Sequence, residues 1–191
     1  KSAPDGYTLG MFLTPHAVNP FVMKSLPYDT ERDFAPVSLM ALVPGVLTMH
    51  PGVPAANLRD AVALARAKPG QFNYASPGPL TSGHLSMELL KSMAGIQITH
   101  IPYKGGAPAV ADLIAGQVQF LINGPPNVLP HIRAGRLKAI AVTTARRVPG
   151  LPEVGTVAEQ GHAGYETYEW YGVFAPARTP DRKSTRLNSS H

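Results

Sequence analysis

The chain has no cysteine among its 191 residues, which rules out two kinds of structure. Neither a disulfide framework nor a thiolate metal site can form. Long apolar runs are also missing, because the longest, residues 39–49, is interrupted by Pro44 and is too short to cross a bilayer. We therefore expect no membrane anchor within these residues, and the composition is compatible with the periplasm without requiring it.

The motifs of common enzyme classes are absent as well. The sequence contains no Gly-x-Ser-x-Gly elbow, no Gly-x-Gly-x-x-Gly or Walker loop after a strand, and no His-Glu-x-x-His spacing. Ser82 and His84 bring a hydroxyl near an imidazole, but side chains two residues apart at a helix start point in different directions. We expect no catalytic residue, no metal site and no cofactor, and a hydrolase of small acids or amides remains only an alternative.

The positive charge of the chain depends partly on its last eleven residues. Residues 181–191 have no apolar period and resemble the translation of a sequencing-library adapter, so we treat them as a non-native tail. Without them, 17 basic and 12 acidic residues become 14 and 11, and the net charge falls from +5 to +3. The one dense basic pair is Arg146-Arg147, without interleaved aromatic residues, so nucleic acid is not an expected partner.

One pattern occurs three times in the middle of the chain: a short apolar strand, a loop rich in Gly, Pro, Ser and Asn, and a helix that ends in Ala-Gly. Each glycine lies where a helix needs a left-handed residue to stop, and prolines lie near helix starts. The predicted strands are residues 72–75, 96–101, 118–122 and 137–142, and the helices between them end at Gly95, Gly116 and Gly135.

Strand, helix and strand at this spacing predict an α/β fold with right-handed crossovers and a parallel sheet. The three strand-to-helix loops then lie at one edge, where each helix start offers unpaired backbone N–H groups and the positive end of a helix dipole. Such an edge is suited to an anion. The candidate ligand-binding residues in these loops are Ser76, Gly78, Thr81, Ser82, His84, Tyr103, Gly105 and Asn123.

Each polar candidate also has a structural explanation. Thr81 or Ser82 could serve only as a helix N-cap, His84 could be a half-exposed surface residue, and Asn123 could close an Asx-turn. Lys104 is a weaker candidate than its neighbours, because a mobile lysine gives little geometric selectivity.

Several segments together resemble the Bug or TctC family, the substrate-binding proteins of tripartite tricarboxylate transporters. The resemblance extends over residues 1–180. It is carried by Pro4-Asp5-Gly6-Tyr7-Thr8-Leu9, Thr14-Pro15-His16-Ala17-Val18-Asn19-Pro20, Ser76 to His84, His100 to Ala109, Leu129 to Thr143, Thr156 to Gly161, and Trp170-Tyr171-Gly172-Val173-Phe174-Ala175-Pro176.

The resemblance implies a type II periplasmic binding protein fold, with two α/β lobes and a hinge. It implies a periplasmic monomer that captures a small carboxylate and delivers it to the membrane subunits of a transporter, or alternatively a ligand sensor for a signalling partner. By the same resemblance, an N-terminal strand and helix and several C-terminal helices are missing. We expect an incomplete lobe 1 from residues 1–42 and 140–180, and lobe 2 from residues 43–139.

Lobe 1 would contribute further ligand-binding candidates, Thr14, His16 and Asn19, from a loop after a strand over residues 7–13. A turn held by Asn19-Pro20 explains the same residues equally well. Trp170, the only tryptophan, could cover the mouth of the cleft or fill lobe 1.

Overall fold

The structure, a computed structural model, describes residues 2–180, so the proposed tail lies outside the described residues. The described chain forms two compact units. Unit 2 is residues 43–168, and unit 1 combines residues 2–42 with 169–180. The return to the first unit lies at 168/169 and not at the expected 139/140, because residues 138–142 pair within the sheet of unit 2. In the described range, no helix has both the length and the apolar character needed to cross a membrane.

Unit 2 contains four of the predicted strands and the three helices between them, with one strand and one helix more. Its elements, whose numbering counts β1, α1 and β2 of unit 1, are β3 (Val46–Met49), α2 (Leu58–Ala67), β4 (Asn73–Ser76), α3 (Ser82–Ala94), β5 (Thr99–Pro102), α4 (Gly106–Ile114), β6 (Phe120–Asn123), α5 (Pro125–Arg133) and β7 (Lys138–Val142).

The sheet of unit 2 is mixed, whereas the sequence pattern predicted a parallel one. Its strand order is β5-β4-β6-β3-β7; β4 pairs in parallel with β5 and β6, but β3 pairs antiparallel with both β6 and β7. The extended chain that leads into β3 is not one continuous strand with it. The strand is interrupted at Gly45, where an added Cβ would lie 2.8 Å from Ile122 and 2.9 Å from Thr143.

A capping side chain and several glycines mark helix ends in unit 2. The Asn57 side chain caps α2 by accepting a hydrogen bond from the Asp60 N–H at 3.0 Å. The glycines after α3, α4 and α5 all have positive φ, as predicted for residues that end helices. Both faces of the sheet are covered, because adjacent β3 residues Val46 and Leu47 belong to two different buried apolar clusters.

Thr143 links the two points at which the chain enters and leaves unit 2. Its backbone N–H donates to the Gly45 carbonyl at 3.0 Å, and its hydroxyl oxygen accepts from the Gly45 N–H at 2.9 Å. On the other side, its hydroxyl donates to the Thr167 carbonyl at 2.8 Å, and its carbonyl accepts from the Thr167 N–H at 2.9 Å. Four hydrogen bonds at one buried residue therefore hold these two segments together.

Unit 1 is built on a small three-stranded sheet. It contains β1 (Gly10–Phe12), α1 (Thr14–Val22), most of β2 (Phe34–Pro44) and β8 (Tyr168–Pro176), in the strand order β1-β8-β2. Strand β1 is shorter than the predicted residues 7–13. Large apolar side chains remain exposed in this unit, including Tyr7, Phe21, Leu39 and Met40.

Candidate functional site

Three loops meet at the carboxyl ends of β4, β5 and β6, as the repeated pattern predicted. The Gly105 N–H donates to the Pro77 carbonyl at 2.9 Å, which joins the loop after β5 to the loop after β4. A Cβ added at Gly83 would lie 2.4 Å from the Ile122 carbonyl oxygen, so the start of α3 touches the end of β6. These contacts place the eight unit 2 candidates in one region of the molecule.

Asn123, the last residue of β6, provides an unused donor in this region. Its Oδ1 accepts hydrogen bonds from the Gly124 N–H at 2.8 Å and from Asn127 Nδ2 at 3.0 Å. Its Nδ2 is buried and has no hydrogen-bond partner among residues 2–180. The same nitrogen would lie 2.9 Å from a Cβ added at Gly106, so it faces the start of α4. A buried amide N–H₂ without a partner costs free energy, which an acceptor on a ligand would recover.

The Ser76 hydroxyl lies inside the loop that follows β4. It is fully buried, within hydrogen-bond distance of the Gly78 carbonyl (2.9 Å) and His100 Nε2 (2.7 Å), and it accepts from the Gly78 N–H at 3.2 Å. Thr81 occupies the N-cap position of α3, but its hydroxyl donates to the Gly78 carbonyl at 2.8 Å. Both hydroxyls therefore shape the loop, and Gly78 is their common partner.

The three helix starts do not offer equal numbers of donors. Helices α3 and α4 begin at Ser82 and Gly106, whose N–H groups precede the intrahelical bonding pattern. Helix α5 begins with Pro125 and Pro126, which have no N–H, so the expectation of N–H donors at all three starts was wrong for α5. Near this helix start, the donor without a partner among residues 2–180 is the Asn123 amide.

His84 and His100 form a stacked pair beside the loop after β4. Their ring centroids are 4.1 Å apart with an interplanar angle of 16°, and Tyr74 stacks on His100 at 4.8 Å. His84 Nδ1 accepts a hydrogen bond from the Leu80 N–H at 3.0 Å. His84 is thus neither a simple surface residue nor visibly directed at a ligand, because one of its two nitrogens is occupied by the backbone.

Sequence reasoning missed the residues around this pair. His100 was not a candidate, although β4–β5 pairing places it directly opposite Tyr74. Glu88 accepts hydrogen bonds from the Tyr74 hydroxyl and from Lys91 Nζ, the latter at 2.6 Å. The spacing of His84, Glu88 and Lys91 along α3 places them on one helix face, and this period was the available signal.

Tyr103 and Lys104 have different surroundings. The Tyr103 hydroxyl donates to Asp112 Oδ2 at 2.7 Å, and burial, together with this bond, raises its pKa to about 12. Lys104 is exposed. Ser82 is half-buried at the first position of α3, and Gly105, with φ of 113°, is the N-cap of α4 and needs the conformational freedom of glycine.

The unit 1 candidates lie in helix α1 and not in the expected loop. His16 is buried and stacks on Phe12 at 4.1 Å, and its Nε2 has no hydrogen-bond partner in the described part of the chain. Asn19 Nδ2 donates to the Tyr28 hydroxyl at 3.3 Å, and Thr14 is the first residue of the helix. Trp170 packs against Phe174 within unit 1, with centroids 6.4 Å apart. The prediction of a turn held by Asn19-Pro20 was also wrong, because Pro20 lies inside helix α1.

We expect the free energy of unfolding to fall as the pH decreases from 7 to 5. Burial lowers the pKa of both His84 and His100 below the ordinary value of 6.5, so the folded state binds fewer protons than the unfolded chain. Their stabilising contribution is complete above pH 6.5 and is lost as the pH falls through the lowered pKa values. Urea unfolding at several pH values measures this slope; a His100→Gln variant with the same slope would contradict the assignment.

Similarity to known proteins is consistent across the chain. The TctC family, described as the tripartite tricarboxylate transporter family receptor, matches residues 1–191. Protein BugT of Bordetella pertussis (strain Tohama I) is 38% identical over 190 residues, which cover 98% of this chain and 58% of BugT. The chain thus spans little more than half of this relative.

Two solved structures share the fold at high similarity. Rpa4515 of R. palustris, solved with adipate, has a TM-score of 0.92 and 40% identity, covering 99% of this chain and 64% of that one. MatC (Rpa3494) from Rhodopseudomonas palustris, solved with bound malate, has a TM-score of 0.86 and 30% identity, covering 98% and 64%. By its sequence and its fold, this chain belongs to the Bug/TctC family of tripartite tricarboxylate transporter receptors.

Proposed function

We propose that this chain is part of a periplasmic solute-binding protein that captures a small dicarboxylate and delivers it to the membrane subunits of a tripartite transporter. One carboxylate of the ligand binds at the loops that follow β4, β5 and β6. The observation that carries this proposal is the Asn123 amide nitrogen, which is buried, without a partner among residues 2–180, and directed at the start of α4. The adipate and malate seen in the two related structures support a ligand of this class.

The physical basis of binding is a set of fixed neutral donors. The Asn123 amide and the N–H groups at the starts of α3 and α4 hydrogen-bond an anion without a buried cation. Donors held by a rigid sheet edge do not have to be ordered when the ligand binds, which preserves affinity. Exposed Lys104 adds attraction at long range but little geometric selection.

The geometry of the candidate residues does not favour the alternative function of a hydrolase. A nucleophilic serine needs an accessible hydroxyl and a base free to take its proton. The Ser76 hydroxyl, 2.7 Å from His100 Nε2, is fully buried and bonded to the backbone of Gly78. His84, the imidazole nearest to Ser82 in sequence, has its Nδ1 occupied by the Leu80 N–H. Bound acids are therefore expected to be released unchanged, which chromatography of a ligand incubated with the protein would test.

The Asn123→Asp variant tests the site most directly. Aspartate keeps the shape and the acceptor oxygen but replaces the free donor by a negative charge. At pH 8, we expect adipate or malate, whichever the unaltered protein binds, to bind roughly 100-fold more weakly, about 2.7 kcal/mol. Isothermal titration calorimetry on the protein at its full natural length gives the dissociation constant.

The matched control is Asn73→Asp, which makes the same change at the first residue of β4. This residue lies at the end of β4 opposite to the proposed ligand-binding loop. We expect its affinity to stay within a few-fold of the unaltered protein. Equal affinities for the Asn123→Asp variant and this control would remove the carboxylate from the proposed loops. Absence of binding across di- and tricarboxylates would reject this ligand class.

A further inference from the structure

Leu80 has an unusual backbone conformation within the loop that follows β4. Its φ is 62°, and it is the only residue other than glycine with a positive φ among residues 2–180. This left-handed conformation is unfavourable for a residue that carries a side chain, so other contacts must maintain it. The Leu80 N–H donates to His84 Nδ1 at 3.0 Å, which makes this imidazole the contact that fixes Leu80.

The other end of the same loop is fixed by His100. Its Nε2 lies 2.7 Å from the Ser76 hydroxyl, and that hydroxyl holds both polar backbone atoms of Gly78. Because the two imidazoles stack at 4.1 Å, they support each other as well as the loop. A single pair of rings therefore holds the backbone from Ser76 to Leu80, immediately before the start of α3.

Protonation of His84 would break this arrangement. The Leu80 bond requires a lone pair on Nδ1, so His84 is the neutral tautomer with its proton on Nε2. The cationic ring carries a proton on both nitrogens and would direct a donor at the Leu80 N–H. It would also place a positive charge 4.1 Å from the His100 ring, while the lost hydrogen bond would release Leu80 from its strained conformation.

The groups around the pair determine when this happens. The ionisable side chains that face it are Tyr74 on β4, His100 on β5, and Glu88 and Lys91 on α3. Burial has the largest effect and lowers the pKa of His84; the Glu88 carboxylate opposes this and the Lys91 ammonium reinforces it. Glu88 is itself hydrogen-bonded by Lys91 and Tyr74, so its charge is largely compensated locally.

We propose that neutral His84 is a positioning residue for the carboxylate-binding loop, so that its protonation loosens the loop and weakens ligand binding as the pH falls. This inference rests on the proposed function, because it assigns the loop after β4 to the ligand. It differs from the simpler idea that His84 binds the carboxylate directly as a cation. In that case, affinity would rise as the pH falls.

Two substitutions separate the hydrogen bond from the ring stack. The side chain of His84→Asn retains an acceptor at the position of Nδ1 but cannot titrate, whereas His84→Phe retains the stack on His100 but has no acceptor. Calorimetry with adipate and malate between pH 5.5 and 8 compares both variants with the unaltered protein. Protonation of the ligand affects all three proteins equally, so differences between them report the imidazole.

Between pH 8 and 5.5, we expect the affinity of the unaltered protein to fall about tenfold further than that of His84→Asn. A tenfold change corresponds to the loss of one hydrogen bond. At pH 8, His84→Asn should bind more tightly than His84→Phe. Affinity that increases at low pH in the unaltered protein alone would overturn the proposal in favour of direct cationic binding. Equal affinities for the two variants at pH 8 would overturn it as well.

A ligand-free measurement keeps this proposal separate from the proposed function. Nitrogen-15 NMR identifies the His84 tautomer, and the amide shift of Leu80 reports its hydrogen bond. We expect the ring proton on Nε2 at pH 8 and a Leu80 shift that titrates together with His84. A Leu80 amide that does not respond would overturn the positioning role even if carboxylates bind. A response without any carboxylate binding would leave the positioning role intact and reject the proposed ligand.

Discussion

The variant Gly83→Ala is expected to be less stable than the unaltered protein by about 3 kcal/mol, with a melting temperature roughly 10 °C lower. On helix propensity alone the sign would be opposite, because alanine in a helix is favoured over glycine by about 1 kcal/mol. The added Cβ, however, would lie 2.4 Å from the Ile122 carbonyl oxygen. A contact this short must be relieved by movement of one of the two segments.

Neither segment moves easily. Ile122 belongs to β6, which is paired with β4 on one side and β3 on the other, so the strand is fixed in the centre of the sheet. Helix α3 would have to withdraw from the sheet and open the buried cluster that contains Met87 and Leu90. Overpacking of this kind strains the core rather than a surface loop.

Urea unfolding followed by circular dichroism measures the difference. Gly150→Ala is the matched control, because the closest side-chain atom to its added Cβ, Leu129 Cδ1, is 4.0 Å away. Its effect should stay within about 0.5 kcal/mol. If Gly83→Ala were as stable as this control, the close packing of α3 on β6 would be incorrect.

The second large effect is expected for Thr143→Val, at about 3 kcal/mol of lost stability. Valine has nearly the same shape, so packing is preserved and only the hydroxyl is removed. The Gly45 N–H and the Thr167 carbonyl would then both lose a partner in a site where Thr143 is 1% exposed. Each buried group left unpaired costs about 1–3 kcal/mol.

Two comparisons isolate the hydroxyl. Thr143→Ser retains the hydroxyl and should keep most of the stability, while Thr99→Val makes the same Thr-to-Val change at an exposed position of β5 and should be almost neutral. Hydrogen exchange of the Gly45 amide should accelerate in Thr143→Val and not in the Ser variant. Slow exchange at Gly45 in the Val variant would show that the hydroxyl is not the partner of that amide.

The sequence was sufficient to predict much of unit 2 because its signals are local. Glycine at a helix end and proline at a helix start act within a few residues, and the strands between them are marked by apolar residues. The direction of β3 depends on where the chain comes from, which no local pattern encodes. The return crossing was misplaced for the same reason, because β7 pairs with a strand distant in sequence.

The residues of the candidate site could be predicted from the sequence, but the hydrogen-bonding state of their individual atoms could not. The position of Asn123 at a strand end follows from the repeat, but the unpaired state of Nδ2 depends on Asn127 and Gly106, which only the folded chain brings together. His16 illustrates the opposite case. A turn signal at Asn19-Pro20 was overridden by packing of the His16 ring on Phe12, and the segment is helical.

The hydrogen bonds of Thr143 also bear on whether unit 2 can be exchanged between proteins as a domain. Unit 2 is inserted into unit 1, and the segments through which it is inserted are fastened to each other at this residue. A domain with adjoining ends can be transplanted into another host, or permuted by joining those ends and opening an exposed turn such as Gly135-Arg136. The loops that we propose to bind the carboxylate all lie within the inserted domain, so this part of the proposed site would move with unit 2 in such an exchange.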